Sequence, residues 1–243
     1  MIERAVVLAA GLGIRLKPLT DSAPKCLTEV KGTPILFNAL RNLSDLGISS
    51  CTLVVGYLSS VIRETVGERF ERMCLQYVEN EQYRTTNDMY SLWLSREVLS
   101  NGALILEGDI FFHARTLARA LDQAQHRSFY LAGLYDGSPH EILIVTDSDL
   151  RVRSVKVLHG RGEEPRSLRY MSSGILLVQP AYGKSLSRWL SSAVEAGRVD
   201  VLFDQIISEH VSEEPLHVVE IDHEEWVEID TPEDLVLAEK MFP

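Results

Sequence analysis

The chain has 243 residues, 45% of them apolar and 24% charged, with a formal net charge of −11. Its apolar runs are too short to span a membrane, and no lysine/arginine stripe offsets the acidity, so neither a membrane nor a nucleic acid is expected as a partner. Cys26, Cys51 and Cys74 lie far apart with no Cys-x-x-Cys pair, and Met1-Ile2-Glu3-Arg4 lacks the pattern of a secretory leader, which sets aside a disulfide framework and a zinc site and leads us to expect a reducing, cytoplasmic setting.

In chain order, Ala5–Leu8 reads as a buried strand. Pro34–Leu46 carries apolar residues at 35, 36, 39, 40, 43 and 46, the stripe of an amphipathic helix. Gly47 ends it, Cys51–Val55 is a second strand, and Ser60–Phe70 reads as helical. Leu75–Val78 is a short strand, Met89–Val98 a helix, and Ala103–Leu106 a strand running into Glu107-Gly108-Asp109. Arg115–Gln125 is an amphipathic helix. This βαβαβαβα order predicts a mostly parallel sheet covered on both faces. From residue 129 strands dominate, at Phe129–Leu134, Ile142–Thr146 and Val152–Lys156. The Gly- and Glu-rich stretch His159–Arg166 reads as a mobile loop. Helices return at Ala181–Ala196 and Leu202–Glu209, then strands at Leu216–Glu220 and Trp226–Ile229. Thr231 as N-cap, Pro232 in the first turn and Glu233-Asp234 against the dipole start a final helix.

The densest information lies in Leu8-Ala9-Ala10-Gly11-Leu12-Gly13-Ile14-Arg15-Leu16, followed by Pro24-Lys25-Cys26-Leu27. A strand ends in small residues and glycines, and two cations follow ten residues apart. Gly11 and Gly13 let backbone N–H groups approach phosphate oxygens, while Arg15 and Lys25 offset their charge. A dinucleotide fingerprint needs a third glycine where Leu16 stands, and a Walker A loop needs Gly-Lys-Ser/Thr where the chain reads Leu16-Lys17-Pro18. The pattern predicts a triphosphate cradle of another kind. Cys26, beside Lys25, is expected to be a small buried filler.

Asp109 follows an apolar strand, where open α/β sheets bind ligands and where a carboxylate can hold Mg²⁺ together with phosphate oxygens. Asp230 ends the strand Trp226–Ile229 in the same way, so the two aspartates could share one ion. Glu228, two residues earlier, shares the face of Asp230 on a regular strand and is a weaker metal or substrate candidate. The polar segment Asn80–Ser91 offers Asn87 and Ser91 to a base edge, with helix capping as the competing role for Asn87. Lys156 is a solvated lysine by default and otherwise a partner for a second anion. Trp226 is a core residue or a substrate wall.

The stretches Leu8–Leu16, Pro24–Leu27 and Gly32-Thr33-Pro34-Ile35-Leu36 resemble the signature of the sugar-phosphate nucleotidyltransferase superfamily. Thr86-Asn87-Asp88-Met89-Tyr90-Ser91-Leu92 and Glu228-Ile229-Asp230 resemble one branch of it, the bacterial cytidylyltransferases that act on phosphocholine, 2-aminoethylphosphonate and related small phosphates and phosphonates. The resemblance implies an α/β, Rossmann-like fold of the nucleotide-diphospho-sugar transferase type. It further implies one nucleotidyltransferase domain over 1–243, with a nucleotide half at about 1–125 and an acceptor half at about 126–243. Gly11, Gly13, Arg15 and Lys25 would hold the triphosphate. Leu8, Ala9 and Ala10 would line the nucleotide, Ala10 meeting the base through its backbone, with Asn87 and Ser91 near base and ribose. Asp109 and Asp230 would hold Mg²⁺, Lys156 would meet the acceptor phosphate or phosphonate, and Trp226 and Glu228 would complete the acceptor side.

The implied reaction is attack of a phosphate or phosphonate oxygen on the α-phosphorus of CTP, with release of pyrophosphate. The nucleophile is already charged at neutral pH, so no general base is required. A hexose-1-phosphate nucleotidyltransferase would share the loop, a glycosyltransferase of similar fold could use Glu107-Gly108-Asp109, and a non-catalytic regulatory subunit could bind the nucleotide alone. No aromatic cage for a quaternary ammonium is visible, which leaves the acceptor open. Side chains do not choose CTP over UTP at this level, and a homodimer is carried as an expectation.

Overall fold

Alternation of apolar residues along the first strand decides how the molecule is layered. In the computed structural model, which describes residues 2–124, 126–135, 142–158 and 169–242, β1 (Arg4–Ala9) is buried on both faces. Ala5 and Val7 point into one apolar layer and Val6 into the other. Helices α1 (Ile35–Asp45), α2 (Ser59–Val66) and α5 (Ala114–Gln123) cover the first face through Leu36, Leu40, Ile62 and Leu117. Helices α3 (Asp88–Leu94), α4 (Arg96–Leu99), α6 (Pro180–Glu195) and α7 (Phe203–His210) cover the second through Met89, Leu99, Trp189 and Phe203. A side-chain period of two along a strand, with helices on each side, is the logic of a doubly covered parallel sheet.

The parallel part runs β4 (Ala103–Glu107), β1, β2 (Ser50–Val55), β3 (Met73–Glu79), in register from Arg4 opposite Ser50 to Ala9 opposite Val55. Next to β4 lies the antiparallel β9 (Arg169–Val178), the longest strand. Its first residues pair with β7 (Ile142–Thr146), which pairs with β8 (Val152–Val157). Its other edge carries β6 (Phe129–Leu134), and β10 (His217–Ile221) lies parallel to β6. The expected mostly parallel, mixed α/β sheet is thus what forms. A separate ribbon pairs β5 (Ile110–Phe112) with β11 (Trp226–Glu228), and α8 (Pro232–Met241) packs beside it through Ala238 against Leu16, Phe111 and Ile229.

Several boundaries differ from the sequence reading. The helix expected over Ser60–Phe70 ends at Val66. The chain turns at Gly67 (φ 76°), and Arg69–Phe70 is a short strand on β3. The helix expected over Met89–Val98 breaks at Ser95, whose Oγ donates to the Leu92 carbonyl. Strands β9 and β5 were not anticipated. The stretch His159–Arg166, expected as a loop, lies outside the described residues. Among the described residues, no helix is long and apolar enough to cross a membrane.

Candidate active site

The loop after β1 opens at the carboxyl edge of the parallel strands. Gly13 sits at φ 61°, ψ 37°, a left-handed conformation that side chains resist. Space forbids a side chain too, because a Cβ there would come within 2.9 Å of Lys25 Cβ and 3.0 Å of Thr20 Cγ2. Thr20 Oγ1 donates to the Gly13 carbonyl at 2.7 Å, fixing the turn that brings Lys25 inward. The expected role of Gly13 as backbone for a phosphate cradle therefore has a second side: it makes room for the lysine.

Loop, strand ends and α3 enclose a cleft of about 390 Å³. Leu8, Ala9, Ala10, Gly11, Gly13, Arg15, Lys25, Asn87, Ser91, Asp109, Glu228 and Asp230 all line it. Two candidates are elsewhere. Lys156 lies on β8 opposite Leu143, and Trp226 is buried in β11 opposite Phe112; neither lines the cleft. Asn87 does cap α3, its side chain accepting from the Asp88 amide, and still lines the cleft. Cys26 is buried, and burial pushes its thiol up to about 12.

The cleft's floor carries an ion cluster. Lys25 Nζ donates to Asp109 Oδ2 at 2.6 Å and to Asp230 Oδ1 at 2.5 Å, while Arg15 donates to Asp230 Oδ2 at 2.7 Å. The Lys25 side chain is 13% exposed and those of Asp109 and Asp230 20% and 17%. Burial alone would lower the Lys25 pKa, but the charges of Asp109 and Asp230 outweigh it and raise it. Burial likewise pushes Asp230 up, and Lys25 and Arg15 bring it below the usual carboxylate value. Asp230 is aimed from behind by the start of α8. Asp234 accepts from the backbone N–H groups of Asp230 and Thr231, and Thr231 Oγ1 accepts from the Asp234 amide, so the expected N-cap Thr231 forms and Asp234, expected only to complement the dipole, completes a reciprocal capping box.

These residues suit a divalent cation. Glu107, Asp109 and Glu228 can bring one carboxylate oxygen each within 4.8 Å of one another, and Asp109 Oδ1 is buried with no hydrogen-bond partner. An all-carboxylate donor set is the hard-oxygen chemistry that Mg²⁺ takes. The Lys25 ammonium, bridging Asp109 and Asp230, marks a place where positive charge is already preferred.

The sequence reading missed a second acidic group. Asp88, Glu107 and Asp204 also bring carboxylate oxygens within 4.8 Å. They line a side compartment of about 30 Å³ together with Gly174, Leu202 and Glu228, and Asp88, Glu107 and Glu228 belong to both spaces. Asp204 is 1% exposed and accepts from the Tyr130 hydroxyl at 2.7 Å; Asp88 Oδ1 accepts from the Phe203 amide at 2.9 Å. Burial first, then the charges of Asp109 and Glu228, raise the Glu107 pKa well above the carboxylate range. Burial, then Asp109 and Asp230, do the same to Glu228. A cation entering here would relieve that repulsion. Asp88 and Asp204 each stand in the first turn of a helix, so in sequence they read as dipole-complementing acids.

A family model described as nucleotidyl transferase matches residues 4–238. Over 116 residues the chain is 44% identical to the CMP-5'-(3-aminopropyl)phosphonate synthase of Streptomyces rubellomurinus, an alignment spanning 48% of this chain and 18% of that one. Over 233 residues it is 28% identical to the 2-aminoethylphosphonate cytidylyltransferase of Lancefieldella rimae, spanning 95% of this chain and 89% of that one. The solved structure of CTP:phosphocholine cytidylyltransferase from Streptococcus pneumoniae superposes with a TM-score of 0.82 at 24% identity over the full length of both chains, a shared fold.

Proposed function

The chain belongs to the nucleotidyl transferase family, and from that premise we propose that it transfers CMP from CTP to a small phosphate or phosphonate bearing a positively charged end, with release of pyrophosphate. The observation that carries this reading is the Lys25–Asp109–Asp230 cluster at the foot of the glycine loop, opening directly onto the carboxylates of the side compartment.

The backbone from Ala10 to Gly13 cradles the triphosphate, and Arg15, two-thirds exposed at the mouth, meets it first. Lys25 exchanges a carboxylate partner for a phosphate oxygen and offsets the charge that builds on the leaving pyrophosphate. Asp109 and Asp230, with Glu107 and Glu228 adjacent, would hold Mg²⁺, which when bound supplies charge neutralisation at the phosphates. The acceptor's phosphoryl or phosphonyl oxygen is already anionic, so these residues align reactants and screen anion–anion repulsion rather than abstract a proton. Asp88, Glu107 and Asp204 offer an ammonium group three carboxylates, and the relatives named for aminopropyl- and aminoethylphosphonate support an acceptor of that class. The reading needs neither Lys156 nor Trp226.

The test is pyrophosphate release across CTP, UTP, dTTP and GTP against 2-aminoethylphosphonate, 3-aminopropylphosphonate, phosphocholine and glucose 1-phosphate. The expected result is turnover confined to CTP with the cationic acceptors. Turnover with glucose 1-phosphate alone would replace this reading by a hexose-1-phosphate nucleotidyltransferase.

A further inference from the structure

Behind the nucleotide cleft runs a chain of hydrogen bonds whose direction is settled at both ends by backbone groups. Asn80 follows β3 and is 1% exposed. Its Oδ1 accepts from the Gln82 backbone N–H at 3.0 Å, and a backbone N–H can only donate, so the amide cannot be turned the other way. Its Nδ2 therefore donates, to Thr86 Oγ1 and to Ser91 Oγ, both at 3.0 Å. The Thr86 hydroxyl is committed in turn, because it donates to the Gln82 carbonyl at 3.0 Å. Ser91 is 4% exposed, lines the cleft, and accepts from Asn80; no hydrogen bond among the described residues uses its proton.

We propose that Asn80 is a positioning residue that occupies one lone pair of the Ser91 hydroxyl and turns its proton toward the cleft, and that this bias favours cytosine over uracil at N3. In cytosine N3 is an acceptor; in uracil it carries a hydrogen. A hydroxyl already accepting from a fixed amide gives its proton to the first; it can accept from the second only with its remaining lone pair, after its proton has turned away from the base and lost that partner. A buried donor left without a partner weakens binding by about 10- to 100-fold. The inference rests on the CTP reading above and goes past it, since it supplies the side-chain discrimination that residue types alone leave open.

Asn80→Asp is the direct test, because it keeps the acceptor for the Gln82 amide and replaces the donor by a second acceptor. Ser91 then donates inward and shows a lone pair to the base. Titration calorimetry with CTP and with UTP, on the full chain without acceptor, is expected to show CTP preference in the wild type. In Asn80→Asp that preference falls at least tenfold through weaker CTP binding with UTP binding kept or tightened. Ser91→Ala, which deletes the proton and needs no buried charge, is expected to lose the same preference and decides the matter if the aspartate variant does not fold. A wild-type CTP:UTP ratio kept within twofold in the folded variants overturns the proposal, as does a wild type that binds both nucleotides equally. Absence of pyrophosphate release with every acceptor, alongside a shifted binding ratio, would instead refute the transferase reading and leave the base-reading role standing.

Discussion

Replacing Lys25 by methionine keeps an unbranched side chain, one atom shorter, and removes one charge from between two carboxylates. Both Asp109 and Asp230 lie at hydrogen-bond distance from its ammonium, so their oxygens stand within about 5 Å of each other. Both side chains are four-fifths buried or more. With an effective dielectric constant of about 20, two like charges at that separation repel by about 3 kcal/mol. For a chain of this size 1 kcal/mol moves the unfolding temperature by about 2–4 °C, so Lys25→Met is expected to melt roughly 6–12 °C below the wild type in the absence of divalent ions. A cation bound between the aspartates should recover most of that loss, since a ligand at a hundred times its dissociation constant contributes about 2.7 kcal/mol. Turnover should still fall at least about 100-fold, the scale of losing one preorganised electrostatic donor. Differential scanning fluorimetry with and without Mn²⁺, beside pyrophosphate release, reads both effects. A variant that melts with the wild type in EDTA and turns over within a few-fold of it would refute the reasoning.

Asp109→Asn should lower pyrophosphate release by about 100-fold or more and weaken Mn²⁺ binding followed by electron paramagnetic resonance; normal turnover would remove Asp109 from the site. Gly13→Ala forces a left-handed backbone that side chains hold at a penalty of about 1–2 kcal/mol and sets a Cβ against Lys25 and Thr20. It should melt lower and bind CTP more weakly, and wild-type values on both counts would contradict the role given to that turn. Burial, then Arg115, lowers the His113 pKa below 6.5, and burial, then Arg127 and Arg151, lowers that of His217. The unfolded chain protonates first as pH drops, so stability is full above 6.5 and falls as pH passes from there to the native values. The double variant His113→Gln/His217→Gln should flatten the acid side of a melting-temperature profile, and an unchanged slope would assign it elsewhere.

Motifs on the first strand and its loop were legible because they depend on local backbone chemistry. Gly13, Lys25 and the strand-end Asp109 could be placed with no knowledge of the rest of the fold. Strand β9 was hidden for an equally physical reason. Its middle, Ser172-Ser173-Gly174, reads as a turn, yet Ser173 Oγ donates to the Leu131 carbonyl at 2.7 Å, and Ser172 Oγ accepts from the Gly174 amide at 3.2 Å. Register slips there, and Gly174 adopts φ 72° with the Glu107 Cβ 3.2 Å from where its own Cβ would lie. Tertiary partners thus satisfy a polar bulge that no hydrophobic period announces. β5 is only three residues long and finds its partner more than a hundred positions away. The side compartment was missed for the same reason, since Asp88 and Asp204 meet only after α3 and α7 have docked.

The pairings of Arg15 and Lys25 with Asp230 bridge 215 and 205 positions of sequence. On the ribosome the glycine loop emerges well before the aspartate that completes its ion cluster. A nascent chain that stops short of Asp230 therefore carries a glycine loop whose cations have Asp109 but not Asp230, and contacts this distant in sequence close late because the chain between them must first be ordered. The ion cluster therefore closes only after the sheet that separates its members has been made. A partly made chain holds the glycine loop without the finished charge arrangement around Lys25.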